Sequence, residues 1–303
     1  TVGFTLAPRL NAAGRLDTAR AAYDLLSTED ESLASQIALQ LNERNTERQK
    51  ITAAVAHHAE QVAFADGDED VPLLFASDGD YNAGVIGLAA SRLVERFYRP
   101  AVVVSVVKGN ADEHVARGSC RSVVEFNITA ALDECHDLLV RYGGHAAAAG
   151  FTMQAGRMGE LRERLVQIAR RQQPDGGWTR PLRIDSQVSL PKLSWDTYAQ
   201  LACLEPHGMS NPRPVFAACG VTVQNIRRVG QPPDQPPHLQ LRLKDARGAI
   251  WEAIGWRMAE RARELSAGAK IDVAFQLDCN EWNGERKLQL VLQDFRPAES
   301  NPV

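Results

Sequence analysis

The sequence predicts an α/β domain, led in by a long helix and followed by an all-β barrel. Three observations carry this reading. Between residues 74 and 171 short apolar runs alternate with stretches of helical periodicity, the signature of a small α/β layer. Beyond residue 214 the apolar period switches to two, with turn signals between paired runs. Between them lies QQPDGGWTRP (172–181), whose Pro and Gly content marks a linker. The expected organisation is a connecting segment and long helix over 1–64, an α/β domain over 65–172, a linker over 173–181 and a barrel over 182–303.

Taken in order, TVGFTLAPRLNAAGRL (1–16) reads as a loop-like segment punctuated by Pro8 and Gly14. From Thr18 to about Val62, Leu25, Leu26, Leu33, Ile37, Leu41 and Ile51 recur near a 3.6 spacing, with a break at STEDES and Ser27 or Asp30 as N-cap. The second half of this helix is polar over much of its surface, as in helices that bridge two domains. ADGDEDVP (65–72) is an acidic turn. A strand at VPLLFAS, a helix over 84–97, a β-branched strand AVVVSVV (101–107) and a strand HVARGSC (114–120) follow. Residues 128–143 read as a helix ending on Gly143, 150–154 as a strand and 156–171 as a helix. The strand candidates 214–230, 238–256 and 270–297, interrupted by a helix at MAERARELSAG and carrying an Asn283-Gly284 hairpin cue, suit a small Greek-key barrel such as an OB-fold.

Composition bounds the classes. The chain has 303 residues, 44% hydrophobic and 24% charged, the profile of a water-soluble globular protein with room for sizeable cores. No apolar run approaches the roughly 20 residues of a membrane span, so no membrane partner is expected. There is no initiator Met and no signal-peptide pattern, so Thr1 reads as a cut inside a longer chain. Five scattered cysteines without a CxxC pair argue against a disulfide framework or structural zinc and fit a reducing cytoplasm. The net charge of −4 gives no bulk nucleic-acid signature. Residues 1–179 hold 18 Lys/Arg against 24 Asp/Glu, and 180–303 hold 16 against 14. On charge alone, the C-terminal part is the better place for a diffuse nucleic-acid surface.

Three motifs carry chemistry. In GGHAAAAG (143–150), two glycines permit close backbone approach, His145 can donate to a phosphate oxygen, and four alanines leave room for a bulky ligand. A helix cap followed by a tightly packed Ala stretch is its bland use. In RGSCRS (117–122), Ser119, Arg121, Ser122 and free backbone N–H groups surround one point, an anion pocket or else a surface turn with an incidental Arg. In PRLNAAGR (8–15), Arg9 and Arg15 flank an Asn-Ala-Ala-Gly turn and can converge on one phosphate if it is tight; an Arg-flanked helix start is the alternative.

With YNAGVIGLAASRLVERFYRP (81–100), these motifs resemble the RecJ family of the DHH phosphoesterase superfamily. GGHAAAAG and GSCRS are similar to its accessory DHHA1 domain, and NAAGR to the segment joining that domain to the catalytic one. PHGMSNPRPVF (206–216), HLQLRL (238–243) and NEWNGERKLQL (280–290) resemble its OB-fold domain. The resemblance implies that Arg9, Asn11, Arg15, Ser119, Arg121 and Ser122 bind the 5′-terminal phosphate or nearby backbone. It also implies that His145, with Gly143 and Gly144, faces the catalytic cleft. Tyr81-Asn82 stands where many relatives carry Trp-His; Tyr can stack on a base, but Asn cannot become cationic. Cys120 stands where Gly is usual.

The metal ligands of this superfamily, clustered Asp and His that hold two divalent ions, have no counterpart here. His57-His58 reads as a solvent-facing pair on a helix without a partnering Asp, and the clusters 66–70 and 78–80 as solvated turns. The catalytic domain, with its Mn2+ or Mg2+, is expected before Thr1. For the barrel, candidate contacts to single-stranded DNA are Arg227, Arg228, His238, Gln240, Arg242, Trp282 and Arg286, in a basic groove with aromatic platforms. Trp251 and Trp256 read as core. The implied function is the DNA-holding part of a 5′→3′ single-stranded-DNA exonuclease of repair and recombination, working with a single-strand-binding protein and a helicase. The alternatives are a non-catalytic replication scaffold and a smaller oligoribonucleotide or cyclic-dinucleotide phosphodiesterase.

Overall fold

The computed structural model describes all residues except 1, 69, 109–113, 209, 231–236, 283 and 299–303. It divides into two compact units, one ending at Arg180 and one beginning at Pro181.

The first unit opens with helices α1 (Ala7–Leu16), α2 (Arg20–Ser27) and α3 (Glu31–Ala63). The segment expected to be a loop is thus helical: Pro8 sits in the first turn of α1, where its missing N–H costs nothing. Asp30 caps α3 by accepting from the Ser32 and Leu33 N–H groups. Along its 33 residues the buried positions Ile37, Leu41, Asn45, Thr52, Val55, Ala59 and Ala63 recur in helical steps.

The sheet that follows is built from β1 (Leu74–Asp78), β2 (Ala101–Lys108), β3 (His114–Arg121), β4 (Arg141–His145) and β5 (Ala148–Gln154), in the order β1-β2-β3-β5-β4. Helices α4 (Ile86–Phe97), α5 (Ile128–Asp133) and α6 (Met158–Gln172) complete the unit. α5 and α6 bury Ile128, Leu132, Leu161 and Leu165 against Val102, Ala116, Cys120, Phe151 and Met153 on one face. α3 and α4 bury Ala59, Ile86, Ala90 and Leu93 against Leu74, Ala101 and Val103 on the other.

Two expectations need correction here. The helix expected over 128–143 stops at Asp133, and after a short 3-10 turn the chain extends as β4, so Gly143 and Gly144 lie in a strand and not at a helix cap. The expected linker is tied down as far as Trp178, which is 9% exposed, donates its indole N–H to the Pro72 carbonyl at 2.7 Å and packs edge-on to Phe126. The buried ring, worth a few kcal/mol of burial, fixes the segment to the first unit.

The second unit contains β6 (Ser186–Gln187), α7 (Trp195–Ala202), β7 (Phe216–Val229), β8 (His238–Lys244), β9 (Ile250–Gly255), β10 (Lys270–Trp282) and β11 (Glu285–Pro297). The order β10-β11-β9-β8-β7, closed by β10 pairing with β7, makes a five-stranded barrel. Leu239, Leu241 and Leu243 alternate inward from β8 and meet Val221, Val223, Phe275, Leu290 and Leu292 in its core. The expected helix at MAERARELSAG is a 3-10 segment, Ala259–Glu264. Trp251 packs against the barrel core, but Trp256 does not: it is 57% exposed.

Candidate nucleic-acid interface

Strand register builds the site. On the sheet face that carries Ala101 and Val103, three rows run across β3, β5 and β4: Arg121–Ala148–His145, Ser119–Gly150–Gly143 and Arg117–Thr152–Arg141. Alternate residues of a strand share a face. The segment RGSCRS is therefore strand rather than turn, with Arg117, Ser119 and Arg121 on the open face and Cys120 in the core, 0% exposed. Burial pushes the Cys120 thiol up to about 12, so it stays a neutral core group.

The result is a cleft of about 800 Å³ walled by Arg15, Gly84, Gly87, Arg117, Ser119, Arg121, Arg141 and Gly143, among others. Among the described residues its lining contains four arginines and no carboxylate. Arg121 donates to Ser119 Oγ at 3.2 Å and to the Cys120 carbonyl at 2.7 Å. Burial holds its guanidinium below the ordinary value; the nearby Cys120 opposes this, and the positive charge of Arg15 adds to it. Burial likewise lowers Arg48, followed by Arg15 and Arg92, and the Nε of Arg48 is buried with no partner among the described residues. Guanidiniums keep their protons, so crowding four of them without a counter-charge raises the free energy of the empty site and favours an anion.

Two glycines set the walls. At Gly87 an added Cβ would lie 2.9 Å from Ser119 Oγ and 3.0 Å from Arg121 Nη2, so its absence lets the first turn of α4, the positive end of the helix, close on this pair. At Gly84 a Cβ would fall 1.8 Å from the Arg15 carbonyl, which is how the end of α1 comes near enough for Arg15 to donate to the Gly84 carbonyl at 3.4 Å.

The sequence-derived residues separate accordingly. Arg15, Ser119, Arg121 and Gly143 line the cleft, and the exposed His145 lies on the same face, in the Arg121 row. Arg9 and Arg15 do not converge, because they sit on a helix: Arg9 donates to the Thr5 carbonyl and to Asn42 at 3.0 Å. Asn11 is exposed one helical turn before Arg15. Ser122 spends its hydroxyl on the Phe126 carbonyl at 2.6 Å. Gly144, at φ +155, turns toward Ala149, where a Cβ would lie 2.5 Å from its Cα.

Tyr81 cannot stack on a base as expected: it is 5% exposed, and its hydroxyl meets His58 Nδ1 at 2.9 Å, with burial raising it to about 12. His58 also has the carboxylate that sequence reading denied it, Asp78 at 3.9 Å. The acidic turn pairs with α6 through Asp66–Arg162 at 2.7 Å. Among the described residues no three His, Cys, Asp or Glu side chains converge, so the donor sets present do not fit a divalent metal.

Among the cleft residues, sequence reading missed Arg117 and Arg141. Arg117 was legible from strand alternation with Ser119 and Arg121. Arg141 was hidden by reading 128–143 as helix, whereas it opens strand β4.

In the barrel, Asn225, Arg227, Gln240 and Arg242 form one small cleft on the outer face of β7 and β8, with Arg242 3.5 Å from Glu252. Arg228 pairs with the inward Leu239 and so leaves the opposite side of the strand from Arg227. His238 accepts from the Arg257 backbone N–H at 3.0 Å and meets Trp256 edge-on at 4.7 Å. Arg286 lies elsewhere, with its guanidinium 5.4 Å from the Trp195 ring. The Trp282 side chain and Asn283 lie outside the described residues.

An α/β domain with an arginine-lined sheet cleft and a five-stranded barrel define a two-domain class, and known families match each part. Residues 70–171 match the DHHA1 domain and 184–294 the RecJ OB domain. The chain is 32% identical to the single-stranded-DNA-specific exonuclease RecJ of Bacillus subtilis over 99% of its length, covering 37% of that protein. It is 32% identical to the RecJ of Thermus thermophilus, of which it covers 40%. The crystal structure of the Thermus thermophilus protein with Mg2+ superposes with a TM-score of 0.81 at 31% identity, covering 99% of this chain and 44% of that one. A second structure of that protein contains Mn2+. The chain carries a DHHA1 domain and a RecJ OB domain, is similar to RecJ over nearly its whole length, and spans less than half the length of these relatives.

Proposed function

We propose that this chain is the DNA-holding portion of a single-stranded-DNA exonuclease that works from the 5′ end. Arg121, Ser119, the first turn of α4 and Arg15 take the 5′-terminal phosphate. His145, one row-end away on the same face, donates to a phosphate oxygen farther along the strand. Asn11 borders the entrance, and the barrel adds a diffuse grip through Arg227, Gln240 and Arg242. The observation carrying this reading is the cleft of four arginines with no carboxylate among the described residues that line it.

Hydrolysis to mononucleotides belongs to a part of the intact protein outside this chain. There Mn2+ or Mg2+ would activate water, and no step of that reaction is assigned to the residues here. The fit is to repair and recombination in the cytoplasm, downstream of a helicase and beside a single-strand-binding protein.

The test is a titration of this chain with a 5′-phosphorylated single strand, its 5′-hydroxyl form and the matching duplex, with Mn2+ present. The expected result is preference for the phosphorylated single strand, affinity that falls with salt, and intact DNA. Cleavage by the pure chain would place a metal site within it. Failure to bind all three would favour the scaffold reading.

A further inference from the structure

The cleft is longer than one phosphate. Its Arg121 end and its Arg117/Arg141 end are four residues apart along β3, roughly 13 Å at strand rise. Between them the row Ser119–Gly150–Gly143 carries almost no side chain, and a Cβ added at Gly143 would meet nothing within 4 Å. The floor is thus an open trough with a cationic row at each end.

At the far end Arg117 and Arg141 flank Thr152 on neighbouring strands. Their Cα atoms are two strand spacings apart, roughly 10 Å, within the combined reach of two arginine side chains. Both are exposed, and among the described residues neither has an ion pair or a side-chain hydrogen bond. Arg121 differs in being half-buried and hydrogen-bonded within its own strand. One end is therefore a half-buried, hydrogen-bonded pocket for a single group; the other is an exposed two-armed clamp suited to a backbone phosphate that need not have a fixed orientation.

We propose that Arg117 and Arg141 form a second phosphate site, which grips an internal phosphodiester of the strand whose 5′ end is held at Arg121. It rests on the reading of the cleft as a 5′-end site and adds a function to it. The pair makes affinity depend on strand length, so that a mononucleotide product is released while the remaining strand stays bound.

The experiment measures affinity of the chain for 5′-phosphorylated oligothymidylates from one to eight nucleotides. Variants are Arg117→Ala/Arg141→Ala, the charge-retaining Arg117→Lys/Arg141→Lys, and Arg121→Ala. The unaltered chain should bind the mononucleotide weakly and gain affinity with length. The Ala pair should lose roughly tenfold or more on the longer oligomers, weaken the mononucleotide far less, and reduce the slope of log affinity against log salt by about 0.7 for one phosphate contact. The Lys pair should recover part of the loss. Arg121→Ala should abolish the preference for a 5′ phosphate yet keep the gain with length. The second site is overturned if the Ala pair leaves the length series unaltered, or weakens mononucleotide and octamer alike. If the unaltered chain shows no 5′-phosphate preference and no gain with length, the underlying 5′-end reading fails as well.

Discussion

In the first unit Arg15, Arg117, Arg121 and Arg141 share one cleft whose lining, among the described residues, holds no carboxylate. In the barrel, Arg213 lies 2.9 Å from Asp278, Arg242 lies 3.5 Å from Glu252, and Arg261 is bound to Asp294 and Glu264. The net charges run the other way, since residues 1–179 carry six more acids than bases and 180–303 two more bases than acids. An anion responds to unpaired charge within about a Debye length, near 10 Å, and not to the sum over a domain. The acids of the first unit are spent elsewhere: Asp66, Asp137, Glu134 and Glu160 pair with arginines of α6 and its approach.

The largest effect is expected from Trp178→Ala, which removes a buried ring and should cost about 3–5 kcal/mol. It should lower the melting transition of the first unit and leave that of the barrel in place. A shift of both together would show that the two cores do not unfold separately. Next is Arg121→Ala. Losing a charged hydrogen-bonding partner of the phosphate is worth about 1.5–3 kcal/mol, and competition between phosphorylated and hydroxyl-ended strands would read it as a lost preference.

Smaller and more selective is a pair of glycine variants. Gly143→Val enters open space, so the melting temperature should hold while DNA binding falls. Gly144→Val meets the Ala148 carbonyl at 2.3 Å from its Cβ at φ +155, so stability itself should drop, by about 1–3 kcal/mol. Equal behaviour of the two would undo the assignment of Gly143 to the trough and Gly144 to packing. The smallest effect belongs to the barrel. Arg227→Ala should lower the salt dependence of binding by about 0.7, and Arg242→Ala by less, because Glu252 already neutralises it. A barrel variant that outweighed Arg121→Ala would reverse the ranking of the two surfaces.

Much of the architecture was legible because it is local. The period-two runs of β8 and β11, the β-branched run of β2 and the Asp30 cap of α3 state their own conformations. The errors cluster where local signals conflict with distant partners. Residues 134–143 have helical spacing, yet β5 offers Arg141–His145 a ladder of backbone hydrogen bonds, and that pairing wins. Trp178 sits among Pro and Gly that read as linker, but a pocket beside Phe126 and Pro72 claims it. Trp256 reads as core by its apolarity and is left outside beside His238.

Contiguous residues state the two fold classes, the family resemblance and the candidate anion-binding motif. Only the tertiary structure decided which charges remain unpaired. Strand register set Arg117, Ser119 and Arg121 beside Gly143 and Arg141 across β5, and Gly84 brought the end of α1 close enough to add Arg15. Charge pairing acts through space over a few ångströms, and no spacing along the chain encodes it until the sheet has formed.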